Sequence, residues 1–236
     1  MIMKNMKNIL WKDNSMMYKI KLKNVFKHLK TVTKHRYYVC KYCFKFGLYW
    51  QGLTHDLSKF GPTEFWSSVK YYQGTRSPID AEKEDKGYSM AWLHHKSKNK
   101  HHFWYWVDYS NGQVQTPVRI PIKYVYEMIA DTVAAGYVYS KNANKKWKQS
   151  DPYEYYKAHN RNAANNVEFI EFCTKAVLDN IYVDISRYGL DTVAKLIREN
   201  YYSKFYNNKK DKDGNEILDW LTEYNKLVNK YYKEDE

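Results

Sequence analysis

Apolar residues recur along this chain at steps of three and four, with little strict alternation, which predicts helices and few strands. Between Thr33 and Phe46 one stripe runs through His35, Val39, Tyr42, Cys43 and Phe46, a single helix face, and Gly47 offers the stop. A second helical stretch is predicted over Leu48–Lys59, ending at Phe60-Gly61-Pro62; Pro62 suits the first turn of a helix that runs to Tyr72. Ser77-Pro78-Ile79-Asp80 reads as a cap, a first-turn proline and an acid two positions on, opening a helix to His95 with a break near Gly87. After a loop around Asn111-Gly112, Pro121 opens a strongly apolar helix, Ile122 to Tyr139. Asp151-Pro152-Tyr153-Glu154 is a second cap signature, with Glu154 placed to reach back. Further helices are predicted at about 164–180, 189–206 and 216–232.

The fold class expected from this pattern is all-α. Its divisions are a basic N-terminal segment (1–30), a helical core (31–140) and a C-terminal helical lobe (150–236), with a polar Asn/Lys-rich linker at 141–149. The chain has 236 residues, 44% hydrophobic and 18% aromatic, enough to bury a core without staples. Lys and Arg outnumber Asp and Glu by 39 to 26, a net +13. Residues 1–30 carry eight lysines against Asp13 alone, so they hold +7 of that charge and offer a surface to nucleic acid or another polyanion. No apolar run approaches ~18 residues. Lysines 4, 7 and 12 interrupt any signal-like stretch. The expectation is a soluble cytoplasmic protein with no membrane partner. Three cysteines make no disulfide framework, and Cys40-x-x-Cys43 inside an apolar helix reads as two small core residues. Asp211–Asn215 lacks the glycine and acid spacing of a calcium loop and reads as a turn.

The histidines carry the chemistry. Seven of the eight lie between positions 28 and 102, and four sit in Trp92–His102. If that stretch stays helical, His95 and His102 share one face and His94 and His101 the adjacent one. If Lys96–Lys100 turns, two consecutive helices each bring a His pair to one place. Imidazoles so gathered are the commonest metal ligands near neutral pH. His55-Asp56 is a further candidate, although neighbours on a helix diverge by about 100°. Lys59 follows four after His55 and three after Asp56, so its ammonium reaches the same region. A metal and an ammonium share a site when an anion stands between them, and phosphate is the natural one. Glu64 adds a carboxylate, and Glu127 and Asp131, four apart, share a face of the 122–139 helix. Ala134 and Ala135 allow close approach to that helix. Mixed imidazole and carboxylate donors suit Mn, Fe, Zn, Co or Ni.

His35, His55-Asp56 and a distant Asp131, all in helical surroundings, resemble the ligand order of the HD-domain superfamily of metal-dependent phosphohydrolases. His55-Asp56-Leu57-Ser58-Lys59 is similar to the HDxGK-type segment of its HD-GYP branch, and His94-His95 to the histidine pair which that branch uses for a further metal; the GYP signature itself is absent. More closely, HDLSKF…EF, AWLHH…NKHH…YW and EMIAD resemble a family of bacterial and bacteriophage proteins of unassigned activity, over roughly residues 30–180. The resemblance implies an HD-like helical core and one or two divalent ions. His35, His55, Asp56 and Asp131 would hold one, with His95 and His102 completing a second site or contacting substrate. Asp56 would also orient a water, Lys59 would offset phosphoryl charge, and His94 or His101 would protonate the leaving alcohol. The implied activity is hydrolysis of a phosphoester or phosphoanhydride in a nucleotide-like substrate.

Other readings compete. His28 and His159 read as core histidines, and Phe103–Trp106 and Tyr201-Tyr202 as core aromatics rather than base-stacking platforms. A nucleic-acid-binding protein working through residues 1–30, a metal-dependent nuclease, and a di-iron redox protein are the rival functions.

Overall fold

His28 and His35 occupy positions in the helical stripe that apolar residues would otherwise fill. In the computed structural model, Leu22–Lys45 is one helix, α1, burying His28, Val32, His35, Val39, Tyr42 and Cys43. The structure describes residues 20–207 except 110, 113–114 and 163–169. Most of the basic segment, the Asp211–Asn215 turn, the 216–232 helix and the His159 side chain lie outside the described residues. Helix α1 begins eleven residues before the predicted Thr33, because its lysines 23, 27 and 30 sit on the exposed side of an already amphipathic turn.

Gly47, at φ 80, ends the α1 corner, and α2 (Tyr49–Thr54) folds back on α1. Gly52 makes that approach possible: a Cβ there would stand 3.1 Å from the Cys43 Cβ and 3.2 Å from the Cys40 Cα. Cys40 and Cys43 are both free thiols, and burial raises the Cys43 thiol far above its ordinary value. The predicted continuous helix Leu48–Lys59 is not formed. His55 is extended (φ −51, ψ 129) and Asp56 is left-handed (φ 52, ψ 29), followed by a 3-10 turn, Leu57–Phe60. Arg36 holds this break, its Nε donating to the His55 carbonyl (2.7 Å) and Nη2 to that of Leu53 (3.0 Å). Aspartate is among the few residues that visit the left-handed region at modest cost.

Helix α3 (Pro62–Lys70) opens on its proline as predicted. In α4 (Pro78–Lys86) the Ser77 hydroxyl accepts the Ile79 N–H, and Gly87 at φ 79 ends the helix. Ser89 then caps α5 (Met90–Lys98), accepting from Trp92 N–H while donating to the buried Glu82 (2.5 Å). The chain turns after Lys98, so the stretch is not one continuous helix, but neither is the expected pair of helices formed: His94 and His95 lie on α5, whereas His101 and His102 lie in the turn that follows it. A 3-10 turn, Phe103–Trp106, leads into a hairpin of β1 (Val107–Tyr109) and β2 (Gln115–Pro117). The hairpin was not predicted: three mostly exposed residues per strand leave no alternation to read.

Helix α6 (Ile122–Asn142) runs along α1. It is followed by α7 (Asp151–Asn162), α8 (Phe172–Tyr188), α9 (Leu190–Arg198) and α10 (Tyr201–Asn207). The predicted 189–206 helix breaks at Asn200, φ 57. Asp151 lies inside the first turn of α7 and accepts from Lys148 N–H, rather than capping with Glu154. The fold is all-α, and α1, α6, α8, α9 and α10 share one hydrophobic core that includes Tyr201 and Tyr202. No described helix is long and apolar enough to cross a membrane.

Two outcomes follow from this packing. Gly52→Ala forces α2 off α1 and is expected to cost on the order of 1–3 kcal/mol, measured by denaturant unfolding. His28, only 4% exposed, packs against Phe65 and Tyr72. Burial, with the Lys59 ammonium adding to it, lowers its imidazole from 6.5 to about 4. Between those values the unfolded chain binds the extra proton, so stability falls as pH drops from 6.5 toward 4. His28→Phe is expected to remove about 2–3 kcal/mol of that loss, read as wild type against variant near pH 7 and about pH 4.5.

Candidate metal centre

The break after α2 is what turns His55 and Asp56 to one place. Along a regular helix their side chains would diverge; the extended His55 and left-handed Asp56 bury both at 1% exposure. His35 reaches them from α1, Asp131 and Glu127 from α6, His95 from α5, and His101 and His102 from the turn after it.

Asp56 is the centre of the cluster. Its Oδ2 stands 3.2 Å from His55 Nε2, 3.8 Å from His35 Nε2 and 2.5 Å from Lys59 Nζ. Its Oδ1 stands 3.5 Å from His95 Nε2 and 3.4 Å from His101 Nε2. Asp131 Oδ1 lies 3.0 Å from His35 Nε2 and 3.5 Å from His55 Nε2. Two groups of potential ligand atoms result, each within 4.8 Å: His35, His55, Asp56 and Asp131; and Asp56, His95, His101 and His102. All six residues expected as ligands are brought together, and Asp56 belongs to both groups. His101, expected to carry a proton, joins the second group, whereas His94 joins neither.

The tautomers are fixed from behind. Glu127 Oε1 accepts from both His55 Nδ1 (2.9 Å) and His101 Nδ1 (3.1 Å). Glu64 accepts from His95 Nδ1 through one oxygen and His94 Nδ1 through the other, each at 2.7 Å. With Nδ1 engaged, Nε2 carries the free lone pair, the arrangement in which a carboxylate orients a metal-binding imidazole. Ligand atoms of His55, His101 and Glu127 also lie within 4.8 Å of one another. The Glu127 separations are those of ordinary hydrogen bonds, so Glu127 is a support. Arg36 and Asn99, unremarked in the sequence, are supports too: Arg36 holds the break, and Asn99 Nδ2 donates to Ser58 Oγ (2.9 Å) and the His95 carbonyl (2.8 Å). The adjacency of Arg36 to His35 was the one available signal.

These groups fit a cation. Nε2 of His35, His55, His101 and His102 and Oδ1 of Asp56 are buried without a well-directed hydrogen bond, which is costly unless something is bound there. Burial opposes ionisation of Asp56 and Asp131. Even so, His55 and Lys59 hold Asp56, and His35 and His55 hold Asp131, well below the usual carboxylate range. Burial also opposes a charge on His55, but Asp56, Asp131 and Glu127 together raise its pKa well above that of a free imidazole. His102 is driven the other way, by burial and then by His101 and His95, and is held neutral. The buried carboxylates thus draw a proton onto His55, a positive charge that a divalent ion would replace on binding.

A family model, described as a family of unknown function (DUF5662), matches residues 24–182. The chain belongs to this family. The DUF5662 span contains each side chain of both ligand groups, together with Glu64, Glu127 and Arg36. No curated protein and no solved structure matches the chain. The DUF5662 region therefore owes its functional reading to its own geometry. Glu127→Ala frees two imidazoles at once and is expected to weaken metal binding by roughly 10- to 100-fold. Chelator competition, with helicity followed by circular dichroism, is the measurement; unchanged affinity would remove Glu127 from its supporting role.

Proposed function

We propose that the protein is a metal-dependent phosphohydrolase with an HD-like core, acting on a nucleotide-like phosphoester or phosphoanhydride. The observation that carries the reading is Asp56, whose two oxygens face separate imidazole groups while Lys59 stands beside one of them. His35, His55, Asp56 and Asp131 would hold one divalent ion, and His95, His101 and His102 with Asp56 a second. Mn, Fe, Zn, Co and Ni all suit this mixture of imidazole and carboxylate. When bound, such an ion brings the pKa of a water toward ~7 and polarises phosphoryl oxygens.

The protein's own groups supply the rest. Asp56 and Lys59 act as a pair of opposite fixed charges. Burial works against the Lys59 ammonium, but Asp56 and then Asp131 push its pKa up, so it keeps its proton and offsets charge on a phosphoryl group rather than donating. Of the two histidines considered for the leaving-group proton, His101 is taken into a ligand group. His94 remains, sharing Glu64 with His95.

His55→Ala tests the reading, since it removes one ligand and one partner of Glu127. Elemental analysis of protein purified without chelator is expected to show bound metal in the wild type. The variant is expected to lose both that metal and the release of phosphate from nucleotides. A folded wild-type protein that takes up no divalent ion would sink the proposal.

A further inference from the structure

Outside both ligand groups, the turn after α5 and the first turn of α6 bring three lysines onto three aromatic rings. Lys96 Nζ stands 5.8 Å from the ring centre of Trp104, Lys100 Nζ 5.8 Å from those of Tyr105 and Tyr124, and Lys123 Nζ 5.1 Å from that of Tyr124. Lys100 is thus shared by two rings, and Tyr124 by two ammoniums. A ring face attracts a cation through its quadrupole but does not neutralise it. Lys86, Lys157 and Lys175 each pair with a carboxylate about one helical turn away. Among the described residues, Lys96, Lys100 and Lys123 have no such acid. Glu127, one turn beyond Lys123, is buried and engaged by His55 and His101. The charge of the three lysines is therefore uncompensated within the fold.

The sequence assigns Phe103–Trp106 to the core as a block, and the structure divides them. Phe103 and Trp106 pack against the shared core, and Trp106 Nε1 donates to the Lys100 carbonyl (2.7 Å), which fixes the turn on which Lys100 stands. Tyr105, between them, stays 38% exposed. Lys100 and Lys123 are exposed as well. Uncompensated cations interleaved with rings complement a partner that repeats both an anion and a flat aromatic group. A nucleic-acid strand with unpaired bases offers both, whereas a duplex keeps the faces of its bases stacked and a lipid surface offers anions without rings.

We propose that this surface, built of Lys96, Lys100 and Lys123 with Trp104, Tyr105 and Tyr124, binds a single strand of nucleic acid, phosphates against the ammoniums and bases against the rings. His101 and His102 stand between Lys100 and Trp104 in the chain, so the strand passes the segment that contributes to the second ligand group. The binding goes beyond the hydrolase reading and does not depend on it.

The test measures binding of the full chain, by fluorescence anisotropy with chelator present, to a mixed-sequence single-stranded DNA, to its duplex and to phosphatidylserine vesicles. The chelator keeps the outcome independent of any metal. Charge alone favours the duplex, the denser polyanion, so tighter binding of the single strand is the expected and discriminating result. Lys100→Ala/Lys123→Ala is expected to reduce the slope of log affinity against log salt by about 1.4, two phosphate contacts at ~0.7 each. Tyr105→Ala is expected to weaken single-strand binding about fivefold or more with that slope unchanged; the lysine variant decides if this one misfolds. Lys145→Ala/Lys146→Ala removes the same charge from exposed positions beyond the far end of α6 and is expected to leave affinity and slope as they are. No single-strand binding, or a duplex bound as tightly as the single strand, overturns the assignment. So does a salt slope that the Lys100/Lys123 variant leaves unchanged, which would place the affinity elsewhere, as in residues 1–30. Vesicle binding lost in that variant, with no oligonucleotide bound by the wild type, overturns it in favour of a lipid surface.

Discussion

Asp56 is held in a left-handed backbone conformation, its carboxylate buried among imidazoles, and most of the site follows from that placement. A non-glycine residue there stores strain on the order of 1–3 kcal/mol, and the surroundings over-determine it. Arg36 takes the two carbonyls freed where α2 stops. Lys59, returned by the 3-10 turn, neutralises one oxygen at 2.5 Å. Gly52 lets α2 lie close enough to α1 for the break to fall beside His35. Remove the kink and His55 and Asp56 would point to different neighbours.

Around that residue the helices act as a frame for pairs of carboxylates and imidazoles. Helix α6 contributes Asp131 toward the free Nε2 atoms and, one turn earlier, Glu127 toward the Nδ1 atoms behind them. Helix α3 contributes Glu64 in the same supporting manner to His94 and His95. Glu127 Oε1, bonded to His55 and to His101, ties together a histidine from each ligand group, so the two groups are linked through it as well as through Asp56. The shared hydrophobic core formed with α8, α9 and α10 fixes α6 on its other side, which keeps these carboxylates in register.

A cavity lined by His35 and Lys59 places a mostly uncharged recess next to a strongly polar cluster. His28 also lines this recess, and burial, with the Lys59 ammonium adding to it, lowers its imidazole pKa to about 4.

The sequence by itself determined the helical class, the stripe through His35, Val39, Tyr42, Cys43 and Phe46, and the stops at Gly47 and Gly87. These are local matters: period, caps and residue chemistry are written in neighbouring positions. It did not determine the break at His55–Asp56, because the helical pattern runs through it and the interruption is stabilised by Arg36, remote in the chain. Nor did it assign Glu64 and Glu127 to the backs of the imidazoles, or draw His101 rather than His94 into the cluster. Spacing tells which residues share a face, but which nitrogen of a ring is free depends on what packs behind it. That is settled only when α1, α3, α5 and α6 come together.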